Sequence, residues 1–172
     1  MTQSHRLQVN TNLEELAQIL DWFNSHYQEK LTRSVLIKSQ TILAEAFTNA
    51  VRHAHRDKRT ETPIEIVVYL HPDQIELQVW DFGPEFDWEQ QLKQVQEADP
   101  VNAEASGGRG IYLIARLADR FRYYRTPDER NCLQMINDFR TEPVSGQESG
   151  IRSQPSQSVS RREPGVRSQH GG

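Results

Sequence analysis

Cysteine is nearly missing from this 172-residue chain: Cys132 stands alone, which excludes an internal disulfide framework and any cysteine-rich zinc site. No apolar run reaches membrane-spanning length, and the opening MTQSHRLQVNTN lacks the apolar core of a signal peptide. The expectation is therefore a soluble, cytoplasmic protein without a membrane partner. A basic surplus is missing too. Twenty-four acids face 20 Lys and Arg, a net charge of −4, which does not suit direct nucleic-acid binding. Hydrophobic residues make up only 35%, but the shortage is local. The 33 residues from Arg140 onward hold 7 Ser, 5 Gly, 4 Gln and 3 Pro, with Val144, Ile151, Val159 and Val166 as the only aliphatics. Such a segment cannot bury enough apolar surface to offset the entropy of ordering it. The expected organisation is one domain over 1–139 and a disordered Ser/Gly/Gln/Arg-rich tail over 140–172. The tail's short repeat, Gly150-Ile-Arg-Ser-Gln154 and Gly165-Val-Arg-Ser-Gln169, reads as part of a solvated tether.

Glycine is scarce where it matters. Five of the nine glycines fall in the tail, leaving the body with Gly83, Gly107, Gly108 and Gly110, gathered in two short loops. Glycine belongs where the backbone needs positive φ or where another group must approach the main chain. Two tight turns would account for the four; so would a ligand that lies against both loops.

What is present reads as alternating patterns of two periods. Residues 5–9 (HRLQV) suggest a strand. Thr11 with Glu14 three residues on suggests a capping box, opening a helix with the stripe Leu13, Leu16, Leu20, Phe23 and Tyr27. A second helix is expected from Thr32 to His55. Ile64, Ile66, Val68 and Leu70 alternate as a strand, His71 to Gln74 turn the chain, and Ile75, Leu77 and Val79 alternate again. A long polar stretch from Phe82 to Ser106 has room for a short helix around 88–95. Gly107 to Gly110 open a further helix reaching Asp119, and strand-like runs at 120–125 and 132–139 close the body. The order β-α-α-β-β-loop-α-β-β indicates an α+β fold, a two-layer α/β sandwich. Hairpin-ordered strands rule out a doubly wound parallel sheet.

Three features carry chemistry. On the second helix, Leu43, Phe47, Ala50 and Ala54 form the apolar stripe. Glu45, Asn49 and His53 share a different face, at i, i+4 and i+8. That row is either a solvated face or a functional one, and an Asn in mid-helix asks for a reason. A carboxylate one turn from an amide oxygen can set a general base beside a hard-cation ligand. Asp81 continues the core-facing series Ile75, Leu77, Val79. It is either turned outward by the Gly83-Pro84 turn or looks into a pocket floored by the sheet. Ser106-Gly-Gly-Arg-Gly110, entering IYLIARLAD, is either a flexible loop ending in a helix cap or an anion site at a helix start. The Walker-type phosphate loop and the dinucleotide fingerprint are both absent.

Taken in order, Glu45-Ala-Phe-Thr-Asn49-Ala, Asp81-Phe-Gly83-Pro84 and Gly107-Gly-Arg-Gly110-Ile-Tyr-Leu resemble the N, G1 and G2 boxes of GHKL ATPases. Within that superfamily the chain is most similar to the small bacterial anti-sigma factor serine/threonine kinases of the RsbW type, over about residues 5–139. The resemblance implies a Bergerat-type (GHKL) sandwich with a mixed, largely antiparallel sheet, and ATP and Mg²⁺ as cofactors. It implies that Asn49 coordinates Mg²⁺ and that Glu45 orients or deprotonates the attacking hydroxyl. It further implies that Asp81 accepts the adenine amino group, Gly83 lets the backbone pass the base, and Gly108 and Gly110 bring main-chain N–H groups to the phosphates. Arg109, in the same loop, is added on chemical grounds, since a guanidinium there would neutralise γ-phosphate charge. Phe86 to Ser106 would be the lid, ordered only when ATP is bound.

The partners implied by resemblance are a STAS-domain anti-sigma factor antagonist, phosphorylated on Ser or Thr, and a sigma factor held inactive in alternation. A homodimer is a further implication, with the first strand offering an edge. Two departures stand out. Glu85 occupies the place where the G1 pattern continues to a second glycine. Asn131 lies near the place of a glycine that often precedes the last strand. Glu85 motivates an alternative: a nucleotide-gated regulatory binding module without phosphotransfer. A third reading is an interaction protein without nucleotide.

Overall fold

The computed structural model describes residues 1–97 and 108–139. The expected tail and residues 98–107, with Gly107 and much of the expected lid, lie outside the described residues. Alternating and helical patterns condense as the order of apolar residues dictates. The elements are β1 (Gln3–Val9), α1 (Glu15–Tyr27), α2 (Arg33–Asn49) continued by a π-helical turn (Ala50–Ala54), β2 (Ile64–Leu70), β3 (Gln74–Asp81), α3 (Trp88–Glu97), α4 (Arg109–Leu117), β4 (Arg120–Arg125) and β5 (Asn131–Asp138).

The strands form one sheet in the order β1-β2-β3-β5-β4. Each of its four pairings is antiparallel, so the expected mixed sheet is corrected to a purely antiparallel one. The period of two decides which side each strand buries. Ile66 faces Val79, Leu77 faces Met135, and Met135 faces Phe121. These rows meet Ile42, Leu43 and Phe47 of α2, Phe23 of α1 and Ile114 of α4 in one continuous core. Side chains of this size contribute about 1.5–3 kcal/mol each when fully buried. On the opposite face Trp80, Cys132 and Tyr124 form a row, with the Arg130 guanidinium 4.6 Å over the Trp80 ring.

Two local expectations are overturned. Thr11 does not cap α1: the helix starts four residues later, at Glu15, without a side-chain cap. The Asn12 side chain instead accepts from the Glu14 N–H at 3.1 Å. The α1 stripe keeps Leu16, Phe23 and Tyr27 of the expected one but gains Ile19 and loses Leu13. Ile19, Phe23 and Tyr27 are buried, whereas Leu13 precedes the helix and is exposed. By contrast Thr32 caps α2 as its position suggests, accepting from the Val35 N–H.

Candidate functional site

The end of β3 supplies the first half of the site. Asp81 stays in the core-facing phase and is 7% exposed, so the outward-turned alternative does not hold. Its Oδ1 accepts from the Gly83 N–H at 2.7 Å and from Asn131 Nδ2 at 2.8 Å. Asp81, Asn131 and Arg125 are register partners across β3, β5 and β4, which forms a polar row at one end of the sheet. Asn131 is fully buried; its Nδ2 also reaches the Gly83 and Pro84 carbonyls, and its Oδ1 accepts from Arg125 Nη1 at 2.9 Å. Arg125 Nη1 donates as well to the Gly83 carbonyl at 2.9 Å. A charged carboxylate inside a protein is tolerated because fixed donors surround it. Gly83 itself packs on the end of α2's extension: a Cβ there would fall 2.7 Å from Ala54 Cβ and 2.8 Å from the Ala54 carbonyl oxygen. Close approach, not backbone φ, is what requires this glycine.

The second half lies where α2 meets the start of α4. Glu45 and Asn49 are half-buried and face Gly110, not open solvent. A Cβ on Gly110 would lie 2.9 Å from both Glu45 Oε2 and Asn49 Oδ1. The solvated-face alternative for this row therefore fails at Glu45 and Asn49, while His53 is exposed. Asn49 Nδ2 is buried and has no hydrogen-bond partner among the described residues. An orphaned buried amide of this kind is costly and calls for a partner, an ordered water or a ligand, beside the cavity. The first turn of α4, capped by Gly108, adds N–H groups with no intrahelical acceptor and the positive end of the helix dipole.

Between the two halves lies a cavity of about 220 Å³, lined by Asn49, Asp81, Pro84, Phe86, Trp88 and Tyr123 among others. Phe86 and Trp88 bring the start of the expected lid to its wall; Trp88 stacks on Tyr123 with centroids 6.1 Å apart. Burial, reinforced by the charge of Asp81, pushes the Tyr123 phenol well above its usual range, which keeps it a neutral donor. Trp88 Nε1 is a second buried donor without a partner among the described residues.

Of the expected site residues, Asn49 and Asp81 line this cavity. Glu45 and Gly110 pack beside Asn49, and Gly83 lies next to Asp81 against Ala54; none of these three is among the lining residues. Gly108 sits at the cap of α4, against Val95 of α3. Arg109, the first residue of α4, is exposed and is not among the residues lining the cavity. Glu85 is exposed and lines the cavity wall. Sequence reasoning missed Asn131, Arg125 and His55 as members of the site's support. For Asn131 a signal existed, because it is an Asn in strand phase with Leu133 and Met135. For the other two no local signal existed.

These donors and cradles fit a nucleotide, with a hydrogen-bond acceptor at one end of the cavity and a helix start with an orphaned amide at the other. The fold and site define a histidine kinase-like ATPase domain, and the chain belongs to that family, whose model matches residues 9–137. ATP binding is the property the family implies. Among individual proteins, the chain is 31% identical over 88 residues to the serine-protein kinase RsbW of Staphylococcus aureus, covering 49% of this chain and 55% of that protein. It is 37% identical over 84 residues to the serine-protein kinase RsbW of Bacillus subtilis strain 168, covering 46% of this chain and 51% of that protein. The chain thus spans about half the length of the curated relatives it matches. No helix among the described residues is long and apolar enough to cross a membrane.

Proposed function

We propose that this domain is an ATP- and Mg²⁺-dependent protein-serine/threonine kinase. Its substrate would be a STAS-domain anti-sigma factor antagonist, and in the alternative state it would sequester a sigma factor in the cytoplasm, as a homodimer. The observation that carries the reading is that Asn49, packed with Glu45 against Gly110, lines the same cavity as the buried Asp81. The similarity to RsbW kinases supports the choice of a protein hydroxyl as acceptor.

On this reading each residue has a role that its position supports. Asp81 keeps its carboxylate aimed by Asn131 and Gly83, and accepts a hydrogen bond from the exocyclic amine of adenine. Gly83, required by the close approach of Ala54, aims the carboxylate through its N–H and sets the backbone beside the base. The start of α4 at Gly108 and Gly110 offers N–H groups to the phosphates. Asn49 holds Mg²⁺ through its amide oxygen, and the metal, when bound, supplies charge neutralisation on the phosphate oxygens. Glu45, one turn away, takes the proton from the attacking Ser or Thr hydroxyl as its oxygen forms the new bond to the γ-phosphorus and the bond to the ADP oxygen breaks. Arg109, exposed at the same helix start, would meet γ-phosphate charge from outside.

Glu85 favours a second reading, a nucleotide-gated binding module without transfer, because it puts a carboxylate in the cavity wall. Calorimetry with ATP, with and without Mg²⁺, tests both. Tight binding lost in Asp81→Asn, and made insensitive to Mg²⁺ in Asn49→Ala, supports the pocket. Transfer to an antagonist that disappears in Glu45→Ala while ATP binding persists supports the kinase; binding without transfer in the wild type supports the module. No binding at millimolar ATP removes both.

A further inference from the structure

Asp81 and Gly83 are held from the β5 side by Asn131 and Arg125, yet the residue between them, Phe82, has lost its strand partner. The β2–β3 ladder ends at Trp80 opposite Glu65, so the Phe82 N–H has no carbonyl across the sheet. Its acceptor is instead His55 Nε2, at 2.8 Å. His55 is 2% exposed and follows the π-helical turn directly. Its own N–H bonds to the Ala50 carbonyl five residues back, at 2.8 Å, where an α-helix would bond four back. Widened turns of this kind occur mostly at functional positions. Here the extra residue brings Ala54 against Gly83 and His55 under Phe82.

The other ring nitrogen fixes the imidazole. His55 Nδ1 lies 2.7 Å from Thr11 Oγ1, and Thr11 Oγ1 donates to the Thr62 carbonyl at 2.6 Å. A backbone N–H can only donate, so Nε2 must carry the lone pair and Nδ1 the proton. The Thr11 hydroxyl then accepts from Nδ1 and passes its own proton bond to Thr62. Thr11, expected from sequence to cap α1, spends its hydroxyl here.

We propose that His55, as the neutral Nδ1–H tautomer, is the positioning residue of the Asp81–Gly83 turn, and that its protonation releases the turn and weakens adenine-nucleotide binding. The nucleotide part rests on the proposed function above; the positioning part does not. Two charged groups act on the ring. Asp81, from the end of β3, favours the imidazolium; Lys58, from the loop after the π turn, opposes it. Thr11, from the β1–α1 connection, and Thr62, from the segment entering β2, present an uncharged hydroxyl and carbonyl. Burial is the largest influence and, with Lys58, outweighs Asp81, holding His55 below its usual 6.5. With the folded value lowered, stability is full above the unfolded value and declines as pH falls from there through the folded one, and the clamp itself breaks as pH passes the folded value. Protonated Nε2 would set a donor against the Phe82 N–H.

The test uses the full chain and two variants. His55→Phe keeps the volume and removes the acceptor; His55→Gln restores an acceptor near the Nε2 position without a titratable ring. The readouts are the hydrogen-exchange protection factor of the Phe82 amide and ADP affinity, each at about pH 7.5 and at a pH below the lowered folded value, located by following the His55 ring by NMR. In the wild type, protection and affinity both fall at the lower pH. His55→Phe loses Phe82 protection at both pH values and binds ADP about tenfold or more weakly. His55→Gln keeps protection flat with pH and affinity at the higher pH within about threefold of the wild type; the titration of the ADP phosphate itself is common to all three proteins. Phe82 protection that is equal in all three proteins, or a pH dependence of that protection that survives in His55→Gln, overturns the proposal. Should His55→Phe not fold, the pH response of wild type against His55→Gln decides alone. If the wild type takes no ADP at all, the nucleotide reading is what fails, and Phe82 protection still decides the positioning role.

Discussion

Asn131 Nδ2 donates to Asp81 Oδ1 at 2.8 Å, and the two residues are direct register partners between β5 and β3, fifty positions apart in the chain. Arg125 completes the row by donating to Asn131 Oδ1. The buried carboxylate, the amide and the guanidinium are thus linked in one row, Arg125 Nη1 to Asn131 Oδ1 and Asn131 Nδ2 to Asp81 Oδ1. Asn131→Ala leaves Asp81 short of a donor and Arg125 short of an acceptor. A hydrogen bond to a buried charge is worth about 1.5–3 kcal/mol, so the variant should lose about that much stability in urea unfolding. A loss below about 0.5 kcal/mol would mean that water replaces Asn131 at little cost.

Gly110 is predicted to be intolerant of alanine for a local reason. The added methyl would stand 2.9 Å from Glu45 Oε2 and Asn49 Oδ1, and both side chains would have to move. Helix propensity favours alanine over glycine by about 1 kcal/mol, so α4 itself is not weakened. Gly110→Ala should therefore remain folded, with an unchanged melting temperature or a higher one, while Mg²⁺-dependent ATP binding falls about tenfold or more. Calorimetry alongside thermal melts separates the two effects.

Cys132 offers a pH prediction. Its side chain lies in the row between Trp80 and Tyr124, fully buried, and burial pushes its thiol up to about 12. At pH 8 the thiolate fraction is then on the order of one in ten thousand, and access is blocked as well. Labelling by a disulfide reagent should follow global unfolding, and should become fast in denaturant. Because only the unfolded chain ionises first, stability should decline as pH rises past the ordinary thiol value of about 8.5.

Glu129 has φ 62°, the left-handed region, in the turn that joins β4 to β5. Its N–H bonds to the Thr126 carbonyl at 3.0 Å, which closes the turn. A side chain in that conformation costs about 1 kcal/mol or more, and glycine relieves it while adding some unfolded-state entropy. Glu129→Gly should stabilise the protein by about 0.5–1 kcal/mol in urea unfolding, with nucleotide affinity unchanged.

Much of this was legible in the chain. The alternation of Ile75, Leu77 and Val79 put Asp81 on the inner face, since a period of two allows no other phase without a bulge. The helical spacing of Glu45 and Asn49 put them on one row, and the rarity of glycine in the body singled out the two loops that hold Gly83 and Gly110. Other local readings failed. Thr11 looked like a helix cap because Glu14 follows at the right spacing, but its hydroxyl is claimed by His55, forty-four positions away. The α1 stripe was misjudged by including Leu13, because the helix begins only at Glu15.

The chain by itself determined the element order, the inner face of the β2–β3 hairpin and the row of the helix that carries a carboxylate and an amide. Those are consequences of short-range periodicity, which depends only on neighbours a few residues apart. Tertiary structure alone decided which side chains hold the site together. Asn131 meets Asp81 because β5 inserts between β3 and β4, and His55 reaches Phe82 because α2 ends in a widened turn. Neither follows from a local pattern: a hydrogen bond between distant residues depends on strand order, register and the exact end of a helix, and these are set by how the whole core packs.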